Sequence, residues 1–259
     1  MVVGCQRSGT TLLGQMLGAH PDAMLVDEDE GAYRIVDAIR TGQPVAGLLD
    51  ELLPVAARKY SDDRGAQARP RSIVLKAPNA TFHVEELRRS ALPLRFVFPV
   101  RDVREVVSSM LAIPVPMVAN QRRRMAAEPH LAERFRADIE QLDDPGLSDA
   151  ARCGIVWRTK TGLYRDFVAA PMEALLVRYD ELVANPADWM RRLQQHAGLA
   201  PSDVRHHEVM RGQAIGRTQR GRAVDGSSRR LWREALDERD LQDLRGIAGP
   251  LMEELGMAW

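Results

Sequence analysis

Gly4-Cys5-Gln6-Arg7-Ser8-Gly9-Thr10-Thr11 brackets an arginine and a serine between two glycines and ends on two hydroxyls. Apolar Met1-Val2-Val3 leads in, and the leucine-rich stretch Leu12–Leu17 follows. Strand, glycine-bounded loop and helix N-terminus in that order aim backbone N–H groups and the positive end of a helix dipole at one point, which is the chemistry of anion binding. The spacing is that of the phosphate loop G-x-x-x-x-G-K-[ST], but Thr10 stands in the lysine position. The basic group has moved inside the loop, to Arg7. The loop is therefore expected to hold a phosphate without acting as an ordinary NTPase loop.

Three further segments carry charge where a sheet should end. In Phe96–Val100 followed by Arg101-Asp102, a buried strand runs into Arg101, and Asp102 is placed to cap the next helix. Ser109 lies two turns into that helix, so an arginine fork and a hydroxyl are available for a second phosphate; a surface Arg–Asp pair is the plain alternative. Met24-Leu25-Val26 runs into four successive carboxylates, Asp27, Glu28, Asp29 and Glu30. Their crowding is expected to raise a proton affinity toward that of a general base, although an acidic helix start is the simpler reading. Lys76 ends Ser72–Leu75, and only Lys59, Lys76 and Lys160 are lysines among 36 basic residues. In so arginine-biased a chain a retained lysine points to a job for a flexible point charge.

The elements that must position these residues follow from periodicity. Apolar runs at Met1–Val3, Ala23–Val26, Ser72–Leu75, Leu94–Val100 and Ala174–Val177 read as buried parallel strands. Helical patterns occupy about 11–19, 30–41, 45–59, 81–90, 103–112, 130–142, 148–169, 187–197 and 237–255. The alternation predicts a P-loop-like, doubly wound α/β fold of about five parallel strands with helices on both faces. A single domain over 1–259 is expected, with 45% hydrophobic residues to fill its core. Residues 61–71 read as a surface loop, 113–150 as a lid or acceptor-side insertion in which prolines break the pattern over 113–129, and 212–230 as a glycine- and arginine-rich covering loop. Balanced charge, 36 acidic against 36 basic, gives no global field toward nucleic acid. Two distant cysteines without C-x-x-C spacing suggest neither disulfide nor metal site and fit a reducing cytosol. No apolar run reaches the ~20 residues of a membrane span. A loop beginning at residue 4 leaves no room for a signal peptide, and so short a first strand suggests missing N-terminal residues.

With both phosphate segments in hand, the chain resembles sulfotransferases that use 3′-phosphoadenosine 5′-phosphosulfate (PAPS). Within them it is most similar to tyrosylprotein sulfotransferases and their bacterial relatives. Gly4–Thr11 resembles their 5′-phosphosulfate loop and Arg101–Ser109 their 3′-phosphate segment. Ala19-His20-Pro21-Asp22, Val177–Leu182 with Asn185-Pro186, His206-His207-Glu208 and Ala248–Met252 add to the likeness. It is weakest over 42–71 and 113–150.

The resemblance implies roles residue by residue. Arg7 stabilises charge beside the phosphosulfate, while Ser8, Gly9, Thr10 and Thr11 donate to the 5′-phosphate. Arg101 and Ser109 take the 3′-phosphate, and Tyr179 contacts the nucleotide or packs on the sheet edge. Lys76 assists the sulfuryl group. Glu28 matches the family's catalytic base, with Asp27 or Glu30 as fallback and His83 as a rival. Thr218, Arg229 and Arg230 of the covering loop reach phosphates. PAPS is then co-substrate, 3′,5′-bisphosphoadenosine (PAP) its product, and no metal is required. The acceptor is a hydroxyl, phenolic or tyrosyl by the resemblance, with a sugar or natural product as the alternative. A cytoplasmic bacterial setting is expected, with neither nucleic acid nor membrane as partner and a homodimer left open. The other function class is a P-loop kinase of a small molecule or nucleoside, which explains Gly4–Thr11 but neither Thr10 nor Arg101–Ser109. The tryptophans read as packing residues, adjacent His206 and His207 diverge too far to share a metal, and Arg122-Arg123-Arg124 reads as a solvated face or an attractor for an acidic acceptor.

Overall fold

The computed structural model describes residues 1–60, 70–169, 171–202 and 231–259. Strands β1 (Ala23–Asp27) and β2 (Ser72–Lys76) pair in parallel, with Ala23 opposite Ser72 and Asp27 opposite Lys76. Strands β3 (Arg95–Val100) and β4 (Glu173–Arg178) pair in parallel from Arg95–Glu173 to Val100–Arg178. Between the two pairs lies Met1–Val3. Val2 bridges Lys76 on one side and Val97 on the other, both in parallel. Its N–H donates to the Leu75 carbonyl at 2.8 Å, and Val3 N–H donates to the Val97 carbonyl at 3.1 Å.

The lateral order is thus β1, β2, Met1–Val3, β3, β4. About five strands were expected; the described residues form four, and the central segment contributes a bridge instead of a fifth strand. Gly4, with a φ of +107°, turns the chain out of the sheet directly after Val3.

Successive strand residues serve opposite faces, as the pleat requires. Val2, Leu25, Val74, Val97 and Val177 pack in one core with the first helix, α1 (Thr10–Gly18), and with Trp189, Met190 and Leu193. Val3, Val26, Leu75, Phe96, Phe98 and Val100 pack in the other with Ile35, Ile39, Val106, Trp157 and Leu251. Both faces are covered, so the strands read as continuous apolar runs and not as alternating ones.

Most helices lie where periodicity puts them, including α2 (Glu30–Thr41) and Val103–Leu111. The stretch 113–129 differs from expectation: Pro116 caps a helix at Met117–Met125, and Pro129 begins another at Pro129–Arg134. Proline at a helix start loses no hydrogen bond, so these prolines begin helices instead of excluding them. No helix among the described residues is long and apolar enough to cross a membrane.

The α1–β1 contact is close enough to test directly. A Cβ on Gly18 would lie 2.6 Å from the Leu25 Cβ, which cannot swing away. Gly18→Ala is expected to cost about 1–3 kcal/mol through overpacking, measured as a lower urea midpoint with an unchanged slope.

Candidate active site

Every parallel strand ends at the same sheet edge, where open α/β sheets hold their ligands. The edge collects the Gly4–Thr11 loop, Asp27 at the end of β1 and Glu28 after it, Lys76 at the end of β2, Arg101 after β3 and Tyr179 after β4.

The loop is held open by unusual backbone and by its neighbours. Gly4 and Gly9 have φ of +107° and +106°, and Arg7, which has a Cβ, is also left-handed at +68°. Gly4 N–H donates to Thr81 Oγ1 at 2.7 Å. Gly9 caps α1 and lies under the Tyr179 ring: a Cβ there would meet Tyr179 Cδ2 at 2.7 Å. The first-turn N–H groups of α1 lack helical acceptors and complete an anion cradle. Ser8 and Thr10 are buried in it.

On one flank the cations converge. Arg7 Nε donates to Ser109 Oγ at 2.9 Å, and Arg101 Nη1 donates to the Arg7 carbonyl at 3.2 Å. Burial, then the nearby Arg101 charge, lowers the Arg7 pKa. Arg101 stacks on the Tyr179 ring, 4.1 Å from its centre, so Tyr179 joins the loop and the cation instead of merely filling the sheet edge. Arg101 also forms a buried ion pair with Glu105, Nε to Oε2 at 2.7 Å. Glu105 was not foreseen; its spacing of four from Arg101 was the available signal. Asp102 caps its helix by accepting from Arg104 N–H at 2.8 Å, as expected. Trp157, fully buried, donates from Nε1 to the Arg101 carbonyl at 3.0 Å.

On the other flank, acid meets lysine. Lys76 Nζ lies 2.7 Å from Asp27 Oδ1 and 2.8 Å from Glu28 Oε2, and donates to Thr11 Oγ1 at 3.3 Å. Burial alone would lower the Lys76 pKa, but Glu28 and Asp27 outweigh it and the pKa is raised. Glu28 has a left-handed φ of +43°, and its N–H donates to the Lys76 carbonyl at 3.0 Å. Tyr33 Oη donates to Glu28 Oε1 at 3.3 Å.

The four-carboxylate crowding does not form. Asp29 turns away to cap α2, accepting from Ala32 N–H at 3.0 Å, and Glu30 is exposed in the first turn. The left-handed turn at Glu28 separates them: carboxylates adjacent in sequence leave in different directions.

His83, the rival base, belongs to another cluster. Its Nδ1 is 3.8 Å from Glu86 Oε1, and His130 Nε2 is 3.1 Å from the same oxygen. Burial lowers the His83 pKa. The ligand atoms of His83, Glu86 and Glu128 lie within 4.8 Å of one another, a grouping a divalent cation could bridge. Of the arginine row, Arg122 is tied to Asp143 at the surface, while Arg124 lies 5.6 Å from the Tyr33 ring centre. Trp157 and Trp189 are core residues; Trp232 and Trp259 flank Arg104. Thr218, Arg229, Arg230 and His206–Glu208 lie outside the described residues.

Sequence reasoning also missed a buried polar group behind the loop: Gln6, Asn79, Gln121 and Lys160. Only the scarcity of lysine marked Lys160. Burial pushes its pKa down to about 7, against ~10.4 in an unfolded chain. Between those values the unfolded chain binds the extra proton, so stability rises with pH there. Relative to Lys160→Met, the native protein is expected to gain about 1.4 kcal/mol per pH unit from pH 7 toward 10 and nothing below pH 6. Urea unfolding of both proteins across that range reads the difference.

The sequence model of the Sulfotransferase family matches residues 1–203. The chain is 27% identical to Protein-tyrosine sulfotransferase 1 of Danio rerio over 98% of this chain and 70% of that protein. It is 27% identical to Protein-tyrosine sulfotransferase of Drosophila melanogaster over 79% of this chain and 39% of that one. Among solved structures, the sulfotransferase domain from the curacin biosynthetic pathway superposes with a TM-score of 0.57 at 13% identity, covering 96% of this chain and 95% of that one. At that identity the superposition speaks for the fold alone.

Proposed function

The chain belongs to the sulfotransferase family, and from that premise we propose that it transfers a sulfuryl group from PAPS to an acceptor hydroxyl, with Glu28 as base. The observation that carries this reading is the Lys76–Glu28 pair, 2.8 Å apart at the sheet edge beside the phosphate loop. Sulfuryl transfer needs a base for the acceptor proton and cations for the transferring group, all pre-positioned. The edge provides both.

The remaining residues fit the two phosphates of the donor. The loop N–H groups, with Ser8, Thr10 and Thr11, suit the 5′-phosphate, and Arg7 suits the charge beside it. Arg101 and Ser109 suit the 3′-phosphate, with Tyr179 against the nucleotide. Burial and the Arg101 charge lower the Arg7 pKa, an environment an anionic ligand relieves. In the reaction Glu28 accepts the acceptor's hydroxyl proton as that oxygen bonds to sulfur in line. The bond from sulfur to the 5′-phosphate oxygen breaks, Lys76 and Arg7 stabilise the charge left on that oxygen, and PAP departs. The named relatives act on protein tyrosine, which favours a tyrosyl or phenolic acceptor here over a sugar.

A kinase would need a carboxylate for Mg²⁺ near the loop. Asp102 is committed to Arg104 and to its helix cap, and Asp27 and Glu28 beside the loop are both paired with Lys76, which weighs against that reading.

In a thermal-shift experiment without metal, PAP is expected to raise the melting temperature and ATP with Mg²⁺ to leave it unchanged; the reverse result sinks the proposal. With labelled PAPS and a tyrosyl peptide, Glu28→Gln is expected to lower kcat by about 10²–10⁴-fold while PAP binding persists. Arg101→Lys keeps the charge opposite Glu105 but loses the planar fork. It is expected to weaken PAP binding about tenfold, measured by calorimetry.

A further inference from the structure

Lys160 is fully buried, and none of its hydrogen-bond partners among the described residues is a carboxylate. Its Nζ donates to Gln6 Oε1 at 2.6 Å, the Pro78 carbonyl at 2.8 Å and Gln121 Oε1 at 3.3 Å. All three partners are carbonyl oxygens; the protonated lysine has three donors and no acceptor, so in that form all three are used and both glutamines present their carbonyl ends to it. Their amide N–H groups then point away, and both reach one atom. Gln6 Nε2 donates to Asn79 Oδ1 at 2.6 Å and Gln121 Nε2 to the same oxygen at 3.3 Å. With its carbonyl taken, Asn79 turns its amide nitrogen to Tyr33, donating to Oη at 3.0 Å. The Tyr33 oxygen thus accepts, and its own proton goes to Glu28 Oε1 at 3.3 Å.

Each step leaves the next no choice of direction. Amide orientation is ordinarily an assignment made from the surrounding network; here the protonated lysine sets it. Five separate segments supply the members: the phosphate loop, α2, the turn after β2, the helix Met117–Met125 and the helix Asp149–Gly162.

We propose that Lys160, Gln6, Gln121, Asn79 and Tyr33 form a polarised hydrogen-bond chain that fixes the orientation of the Glu28 carboxylate for proton abstraction. This rests on the reading of Glu28 as base. All five are positioning residues, since they act through Glu28. The chain gives the carboxylate a second hold, on the oxygen opposite the one Lys76 contacts. When Lys76 turns toward a transferring group, Tyr33 keeps Glu28 aimed. The chain also passes through Gln6, next to Arg7, so the loop that binds the donor and the base that activates the acceptor share one rigid connection.

Tyr33→Phe removes one hydroxyl and keeps the ring. With PAPS and a tyrosyl peptide it is expected to lower kcat about 10- to 100-fold, the cost of a misplaced catalytic group, with the KM for PAPS within about twofold. Lys160→Met is expected to give a similar loss, and the double variant no more than either alone, because both cut one chain. If Lys160→Met does not fold, Asn79→Asp replaces it. A carboxylate only accepts, so Tyr33 would turn its proton away from Glu28 and kcat would fall as in Tyr33→Phe. A readout without turnover comes from NMR of the labelled protein: either variant is expected to shift the Tyr33 ring resonances.

An unchanged kcat in Tyr33→Phe, multiplied losses in the double variant, or unmoved Tyr33 resonances would each overturn the chain while sulfuryl transfer stands. Wild-type protein that binds neither PAP nor PAPS and transfers nothing would overturn the activity itself, and the chain's role with it.

Discussion

The parallel alignment of the strands is the constraint from which the site follows. Val2 ties β2 to β3 through one residue bridged on both sides, so all strand ends leave the same edge at a spacing of about 4.8 Å. Residues as distant in sequence as Arg7 and Tyr179 become neighbours for that reason alone. The lateral order then divides the edge. Asp27, Glu28 and Lys76 fall on one side of the loop and Arg101 and Tyr179 on the other. A site with an acid–base flank and a nucleotide flank is what such an order can make.

Charge at this edge is expensive, and the structure shows how the cost is met. Arg101 is buried with Glu105, and Lys76 with Asp27 and Glu28. Losing one member of a buried pair leaves an unpaired charge, at about 3–5 kcal/mol, so these carboxylates hold the cations in place as firmly as any packing contact. Arg7 is less well provided for: its side chain donates to the Ser109 hydroxyl, and its pKa is lowered by burial and by Arg101. Arg7 and Arg101, held close together against like-charge repulsion, are a standing preference for an anion.

Much of this was legible in the sequence, and what was not has a physical reason. Gly4–Thr11 and Arg101–Ser109 could be read because loop and cap chemistry is local, set by residues adjacent in the chain. Lys76 could be read because it ends an apolar run. The described residues form four strands where about five were read, because Met1–Val3 looks apolar whether it forms a ladder or a single bridge. The helix at Met117–Met125 was lost because prolines were read as breakers where they are starters. The crowding expected at Glu28 failed because one left-handed residue redirects the run. Gln6, Asn79, Gln121 and Tyr33 left no trace at all: an amide's role depends on which partner it faces, and the partners come from five segments that only the tertiary fold brings together.

The Lys76–Glu28 pair gives the proposed reaction an order. While the pair is closed, the base and the cation satisfy each other. At 2.8 Å and an effective dielectric of about 20, their gross attraction is about 6 kcal/mol, a large bias toward the resting state. A multiply charged phosphosulfate in the neighbouring loop competes for the same ammonium, which is held on a flexible stem and can turn. Glu28 cannot follow it: its N–H is bonded to the Lys76 carbonyl and its other oxygen accepts from Tyr33. Donor binding on the proposed reading therefore does two things at once. It draws Lys76 to the group being transferred and leaves Glu28 an unneutralised carboxylate, still aimed, to take the acceptor's proton. An acceptor arriving before the donor meets a base already occupied by its own lysine.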